Sequence, residues 1–160
     1  MRLAWLPIAA LLVACSGGSK GAPTTPTSSA NPGLTTVVSG HTFADTLARL
    51  QAAIIGKGLI VFTTIDHGAN AKRAGLTLQS TAVIIFGKPQ VGTQLMNTNR
   101  TVAIDLPQKM LVWKDGGTVR ITYNDPAWLQ ARHKLDAKSA LLAKVTKLLG
   151  ALANKAASTD

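Results

Sequence analysis

The chain has 160 residues, of which 46% are hydrophobic and 15% are charged, enough for one domain with a hydrophobic core. Its 17 Lys and Arg residues outnumber its 7 acidic residues, all of them Asp, and give a net charge of +10. This composition excludes a disordered chain, a coiled coil and a multi-span membrane protein. The single cysteine excludes an internal disulfide and a zinc site built from several thiolates.

The N-terminus has the pattern of an exported lipoprotein. Residues 3–14 form an uncharged run that follows Arg2 and is shorter than the about 20 residues that a membrane-spanning helix needs. The run ends in Leu12-Val13-Ala14-Cys15, which resembles a bacterial lipobox. The resemblance implies that Cys15 becomes an acylated N-terminus, because several acyl chains anchor a protein stably. The alternative is an ordinary secretory signal with an incidental cysteine.

The predicted organisation therefore has four parts. Residues 1–14 are the signal peptide, and 15–33 are the lipidated cysteine and a flexible linker of small and polar residues. Residues 34–136 are the folded domain, and 137–160 are an amphipathic C-terminal helix and tail. We expect a lipid anchor in the cell membrane or outer membrane, with the domain on the periplasmic or extracellular face. Ser16 resembles the residue that follows the cysteine in outer-membrane sorting signals.

The first half of the domain alternates strand and helix patterns. β-Branched residues predict a strand at 34–38, and Thr42 with Asp45 three residues later predicts the start of a helix. Apolar residues at 3–4 spacing continue that helix. The elements expected next are a strand at 59–65, a short helix at 69–74, a strand within 76–86 and a helical turn or two at 91–97 with Leu95 and Met96 facing inward.

The second half is predicted to contain a hairpin and a helix. Residues 101–106 look extended, and strands at 110–113 and 118–123 flank an Asp-Gly-Gly turn. Asn124 and Asp125 before Pro126 predict a helix N-terminus. Hairpin-linked strands with separate helices favour an α+β fold, with a mostly antiparallel sheet and helices packed on one face. In this arrangement Trp113 and Tyr123 could lie on either side of the sheet.

Several short motifs in order resemble the domain-of-unknown-function 302 family. They are Ile65-Asp66-His67, Phe86-Gly87-Lys88-Pro89, Gly92-Thr93-Gln94-Leu95-Met96, Ile104-Asp105-Leu106-Pro107, Leu111-Val112-Trp113, Tyr123-Asn124-Asp125-Pro126 and Arg132-His133. The resemblance covers about residues 40–135, and Lys88 departs from the Asn that is frequent in the family at that position. It implies a β-α-β4-α arrangement similar to the TATA-binding-protein fold and a homodimer. Because the family has no assigned activity, the resemblance implies no reaction.

Three residues are candidates for catalysis or metal binding. His67 and Asp105 are expected at strand ends, and His133 lies on the predicted last helix of the domain. A carboxylate beside a histidine can fix its tautomer and raise its basicity, and two His with one Asp would suit a divalent metal. No local His spacing establishes a metal site. The alternative is that Asp66 caps the short helix and each histidine satisfies buried backbone groups.

Four residues are candidates for ligand binding. They are Tyr123, Asn124, Asp125 and Arg132. Asn and Asp before Pro also serve as helix caps, and Arg132 could instead pair with Asp125 or Asp136. No cofactor is predicted, and no Gly-x-Ser-x-Gly or phosphate-loop context is present.

The C-terminal segment carries an apolar stripe formed by Leu141, Leu142, Val145, Leu148, Leu149 and Leu152. The stripe predicts docking onto the domain or across a dimer, or a basic helix lying on anionic lipid. Scattered basic residues and 4% aromatic content argue against nucleic acid as a partner. Anionic envelope polymers are the expected electrostatic partners. We therefore expect a lipid-anchored envelope protein that binds a ligand or partner, with an enzyme or metal site at His67, Asp105 and His133 as the alternative.

Overall fold

A computed structural model describes residues 27–28 and 32–159 of the chain, and its centre is an antiparallel sheet. The strand order is β1-β2-β6-β5-β4-β3, and every neighbouring pair is antiparallel. The strands are β1 (Thr27–Ser28), β2 (Leu34–Ser39), β3 (Ile60–Asp66), β4 (Thr81–Gly87), β5 (Gln108–Asp115) and β6 (Thr118–Asn124).

Helices cover one face of this sheet. They are α1 (Phe43–Gly56), α2 (His67–Arg73), α3 (Pro89–Met96), α4 (Pro126–His133) and α5 (Ser139–Ala157), with 3₁₀ helices at Arg100–Ile104 and Asp136–Lys138. Helix α1 packs on β3, β4 and β5, while α5 packs on β2 and β6 and against α1. The predicted α+β class, the mostly antiparallel sheet and the one-sided helical layer are confirmed.

The core lies between the sheet and the two helices α1 and α5. Inward side chains alternate along β4, so that Ala82, Ile84 and Phe86 are buried. Tyr123 lies on the inner face opposite Met110, whereas Trp113 lies on the outer face and donates its indole N–H to Thr122 Oγ1 at 2.9 Å. Trp113 and Tyr123 therefore occupy opposite sides of the sheet.

Helix α1 begins where the sequence predicts. The Thr42 hydroxyl oxygen accepts the Asp45 backbone N–H at 3.2 Å and donates to the Asp45 carboxylate at 2.7 Å. This reciprocal cap satisfies one of the helix's free amides. The next turn is fixed by buried Thr46, which shares a 2.7 Å hydrogen bond with Ser39 on β2.

Helix α5 packs on the domain, which is one of the two arrangements predicted for the C-terminal segment. Leu142, Val145, Leu149 and Leu152 are buried against the sheet and the neighbouring helices. Arg49 on α1 contacts the C-terminal end of α5, because its Nη2 donates to the carbonyl of Ser158, the residue after the helix, at 2.9 Å. This docking ties α5 to α1.

Residues 101–106 differ from the sequence prediction of an extended segment. The 3₁₀ helix Arg100–Ile104 forms there, and Asn99 Oδ1 accepts the Thr101 N–H at 3.0 Å as its cap. Val102 is fully buried among Leu95, Leu135 and Leu142. The prediction was wrong because the β-branched pattern is local, whereas the helical turn is stabilised by long-range burial of Val102.

Most of the N-terminal predictions lie outside the described residues. The signal peptide at 1–14 and Cys15 fall there, as does most of the linker at 15–33. Within that linker, β1 pairs with β2, and the Gly33 carbonyl accepts the Asp125 N–H at 2.9 Å. No helix in the described part of the chain is long and apolar enough to cross a bilayer.

Candidate functional site

An apolar cavity of about 460 Å³ lies between the helical layer and one end of the sheet. Helix α3, the segment after the 3₁₀ helix Arg100–Ile104, and α5 surround it, and the ends of β4 and β5 close it. Its volume falls within the roughly 300–1,000 Å³ of small-molecule sites in proteins. The cavity is therefore large enough for a small-molecule ligand.

The floor of the cavity is hydrophobic and buried. Phe86, Leu95, Val145 and Leu149 form it, and each is at most 7% exposed. No acidic residue occurs among the described residues that line the cavity. Such a floor offers dispersion contacts and no hydrogen-bonding groups from side chains, so it suits an apolar chain.

The rim of the cavity is exposed and carries positive charge. Lys88 and Lys144 are its two charged residues, and Pro89, Thr93 and Ala103 are exposed beside them. Lys88 directly precedes α3, and Lys144 lies on α5, so the charges come from two separate elements. The site thus combines an apolar interior with a basic entrance.

The local sequence explains why α3 leaves space. Pro89 starts the helix at its first position, where the missing N–H costs no hydrogen bond. A Cβ on Gly92 would lie 3.7 Å from Met96 Cε and 3.9 Å from Leu106 Cδ1, both ordinary contact distances with cavity-lining side chains. The absent side chain of Gly92 therefore adds to the open volume.

The structure brings together two of the three candidate catalytic residues, Asp105 and His133. His133 Nε2 lies 2.6 Å from Asp105 Oδ2, and Nδ1 lies 3.0 Å from Thr101 Oγ1. The His133 side chain is 5% exposed and does not line the cavity. Because both ring nitrogens have protein partners, this geometry suits a link between α4 and the 3₁₀ helix Arg100–Ile104 better than proton transfer to a ligand.

His67 lies at the other end of the sheet from this pair. It begins α2 directly after Asp66, which pairs with Ala82 on β4, whereas Gln108 near Asp105 pairs with Phe86. Asp66 Oδ1 accepts the Ala69 N–H at 2.8 Å, which is the predicted alternative of a helix cap. The described residues contain no group of three or more His, Cys, Asp or Glu that could hold a metal ion.

The candidate binding residues at the end of β6 have local structural partners. Asp125 Oδ1 accepts the Ala127 N–H at 2.8 Å and caps α4, and Asn124 pairs with Leu34 in the sheet. Tyr123 is buried below α5. Burial raises the pKa of its phenol above the ordinary value of 10.0, the Asp125 charge raises it further, and a hydrogen bond with Thr35 opposes the shift.

Arg132 pairs with neither of the acids that the sequence suggested. Its Nε lies 3.6 Å from Asp105 Oδ2, and its guanidinium lies 4.9 Å from the centre of the Trp128 ring. Asp136 instead accepts a hydrogen bond from Gln130 at 3.0 Å. Arg132 therefore joins the Asp105–His133 pair, with its charge shared between a carboxylate and an aromatic face.

Sequence reasoning identified the walls of the cavity without the cavity itself. It placed Leu95 and Met96 inward and gave α5 a stripe that includes Leu141 and Leu148. These four residues line the cavity. The signal in the sequence was the apolar face of each of the two helices, α3 and α5.

A family model and a solved structure point to the same family. Residues 35–154 match the family described as "Domain of unknown function DUF302", which includes most of α5, a helix that the sequence interpretation placed after the family domain. A solved structure described as an uncharacterised conserved DUF302 protein from Bacillus stearothermophilus has a TM-score of 0.72. It is 22% identical and covers 79% of this chain and 99% of its own, so the likeness shows the fold.

Two curated relatives are longer than this chain. The protein named fluoride-specific ion channel FluC 1 from Brucella suis biovar 1 (strain 1330) is 52% identical over 117 residues, which are 71% of this chain and 46% of the relative. The protein of the same name from Brucella abortus biovar 1 (strain 9-941) has the same identity, with 43% of its length covered. The chain thus spans less than half the length of these relatives. Its match over residues 35–154 makes it a member of the DUF302 family.

Proposed function

We propose that this DUF302 domain is a binding module whose cavity takes one apolar chain. The observation that carries the proposal is the cavity of about 460 Å³ with its floor of Phe86, Leu95, Val145 and Leu149. An engineered apolar cavity of about 150 Å³ already binds benzene in another protein. A cavity about three times that volume gives a longer apolar ligand enough surface to bury.

An occupant would also complete the packing of the helical layer. Apolar side chains that line a cavity open to solvent exchange water for dispersion contacts when an apolar ligand covers them. In this fold the space is bounded by α3, which packs on the 3₁₀ helix Arg100–Ile104, and by α5, which packs on β2 and β6. Ligand binding would therefore stabilise the folded chain by mass action.

We further propose that the domain works at a membrane surface, tethered through Cys15. The lipobox-like Leu12-Val13-Ala14-Cys15 supports this membrane location. Replacement of the thiol by Cys15→Ser should abolish the incorporation of labelled palmitate into the protein in its host, because the lipid cannot attach. The same labelling of Ser16→Ala is the control. Equal labelling of both variants, or no label in either, would contradict the anchor.

The Brucella relatives are named as ion channels, a class of membrane protein, and this supports the proposed membrane location. More than half of each relative lies outside the match. The fluoride-channel activity stated in their names is therefore not part of our proposal for this chain.

The binding proposal is tested with the neutral fluorescent probe N-phenyl-1-naphthylamine and the full chain carrying Cys15→Ser. We expect saturable fluorescence enhancement at one probe per chain. The added Gly92→Leu change places a branched side chain beside Met96 and Leu106 and should lower affinity at least about tenfold by filling the space. Gln90→Leu is the matched control, because Gln90 is exposed on the same helix and does not line the cavity. Equal affinity of the two variants would overturn the proposal.

A further inference from the structure

We infer that the cavity selects a fatty acid, with the acyl chain on the apolar floor and the carboxylate at Lys88 and Lys144. This inference rests on the proposed binding function and adds the chemical class of the ligand. A fatty acid joins one apolar chain to one negative charge. The cavity joins an apolar interior to a basic rim in the same order.

The two lysines are available for a ligand. Within the described residues, neither Lys88 nor Lys144 forms an ion pair, since the ion pairs there are Arg120–Asp115, Arg132–Asp105 and His133–Asp105. The acid nearest to the lining in sequence is Asp105, and its carboxylate is occupied by His133 and Arg132. An entering carboxylate therefore meets two positive charges that have no competing protein anion.

The start of α3 leaves the Lys88 side chain available. Lys88 is its N-cap residue and makes no side-chain hydrogen bond to the helix. Pro89 has no N–H, and the Val91 N–H donates to the Lys88 carbonyl at 2.9 Å. The Lys88 ammonium is therefore the group at this part of the rim that can bind an anion.

The size of the cavity suits a ligand with a single acyl chain. Its volume of about 460 Å³ lies in the lower half of the roughly 300–1,000 Å³ range of small-molecule sites. A ligand with one medium-length apolar chain and one negative charge matches this size and the rim of two lysines.

The test compares dodecanoate with dodecanol, which have the same chain length but differ in charge. Each competes with N-phenyl-1-naphthylamine for the full chain carrying Cys15→Ser, below the concentration at which either ligand aggregates. We expect dodecanoate to bind about tenfold more tightly, as two partly exposed charge contacts would give. A rise in ionic strength should reduce this ratio because salt screens the lysines.

Lysine variants test whether the basic rim causes the preference for dodecanoate over dodecanol. Lys88→Gln combined with Lys144→Gln should lower the ratio of the two dissociation constants from about ten to about one. Lys147→Gln is the charge control, since Lys147 is exposed on α5 close to Lys144 but does not line the cavity. This control should keep the full ratio.

The outcomes separate the two proposals. Equal binding of dodecanoate and dodecanol, or a preference that survives in the double lysine variant, would overturn the fatty-acid inference while the apolar binding function stands. Failure of both ligands to displace the probe would overturn both. A chain-length series gives a further check, because each methylene buried in the cavity should tighten binding about fourfold until the space is full.

Discussion

His133 Nε2 lies 2.6 Å from Asp105 Oδ2 and joins α4 to the segment that enters β5. The two residues that follow Asp105 are Leu106 and Pro107, and both line the apolar cavity. The polar pair therefore lies behind the cavity wall and holds it in place. The close approach of His133 and Asp105 therefore has a structural role that requires no bound ligand.

Loss of this link should destabilise the fold. Asp105→Ala removes the acceptor of buried His133 and the partner of Arg132, and should lower the free energy of unfolding by about 1.5–3 kcal/mol in urea denaturation. Asp115→Ala is the control, because its exposed pair with Arg120 should contribute less than about 1 kcal/mol. Equal midpoints for the two variants would contradict a structural role for the pair.

The turn at Gly33 should tolerate no larger residue. Gly33 has φ of +86°, and a Cβ there would lie 2.5 Å from Trp128 Cγ. Gly33→Ala should therefore accelerate hydrogen exchange of the Asp125 amide, whose acceptor is the Gly33 carbonyl. Gly58→Ala is the control. Gly58 has a similar φ of +67° but open space around it, so this substitution costs only the backbone strain of about 1–2 kcal/mol. Unchanged protection of Asp125 in the Gly33 variant would refute the contact.

Tyr123 should make the protein sensitive to alkaline pH. Because its pKa is raised in the folded state by burial and by Asp125, its contribution to stability is fully present below about pH 10 and is lost as the pH rises through the folded pKa. Tyr123→Phe removes the titrating phenol and is therefore the reference protein for this effect. The stability of the wild-type protein relative to this variant should fall above about pH 10. Urea midpoints at several pH values measure it, and a constant difference would contradict the assignment.

Gly92→Ala should stabilise the chain. The helix gains about 0.5–1 kcal/mol from the substitution, and the new Cβ makes only ordinary contacts with Met96 and Leu106. Thermal denaturation would show this as a higher midpoint. A lower midpoint would mean that the space beside Gly92 is already filled, which would count against the cavity.

Local signals account for the parts of the fold that the sequence predicted. The Thr42 cap, the Gly116–Gly117 turn and Pro126 at the start of α4 each depend on a few neighbouring residues, and each lies where it was expected. Residues 101–106 show the limit of such signals. Their extended pattern was overridden by burial of Val102 against residues from α3 and α5.

The candidate site was less predictable because it depends on how separate elements meet. The approach of Asp105 to His133 spans 28 residues of sequence, and His67 falls at the opposite end of the sheet although its motif looks equally suited to chemistry. The cavity lies between α3, α5 and the ends of β4 and β5. Periodicity identifies the apolar faces of such helices, whereas it does not specify the distance between them.

The most direct measurement of the central claim is a methyl-labelled NMR titration of the full Cys15→Ser chain with dodecanol. If the apolar chain enters the cavity, resonances of Leu95, Val145 and Leu149 should shift saturably. Those of Val83 and Leu111, which pair on the outer face of the sheet, should not move. Shifts confined to Val83 and Leu111, or no saturable shift at the cavity residues, would contradict the account.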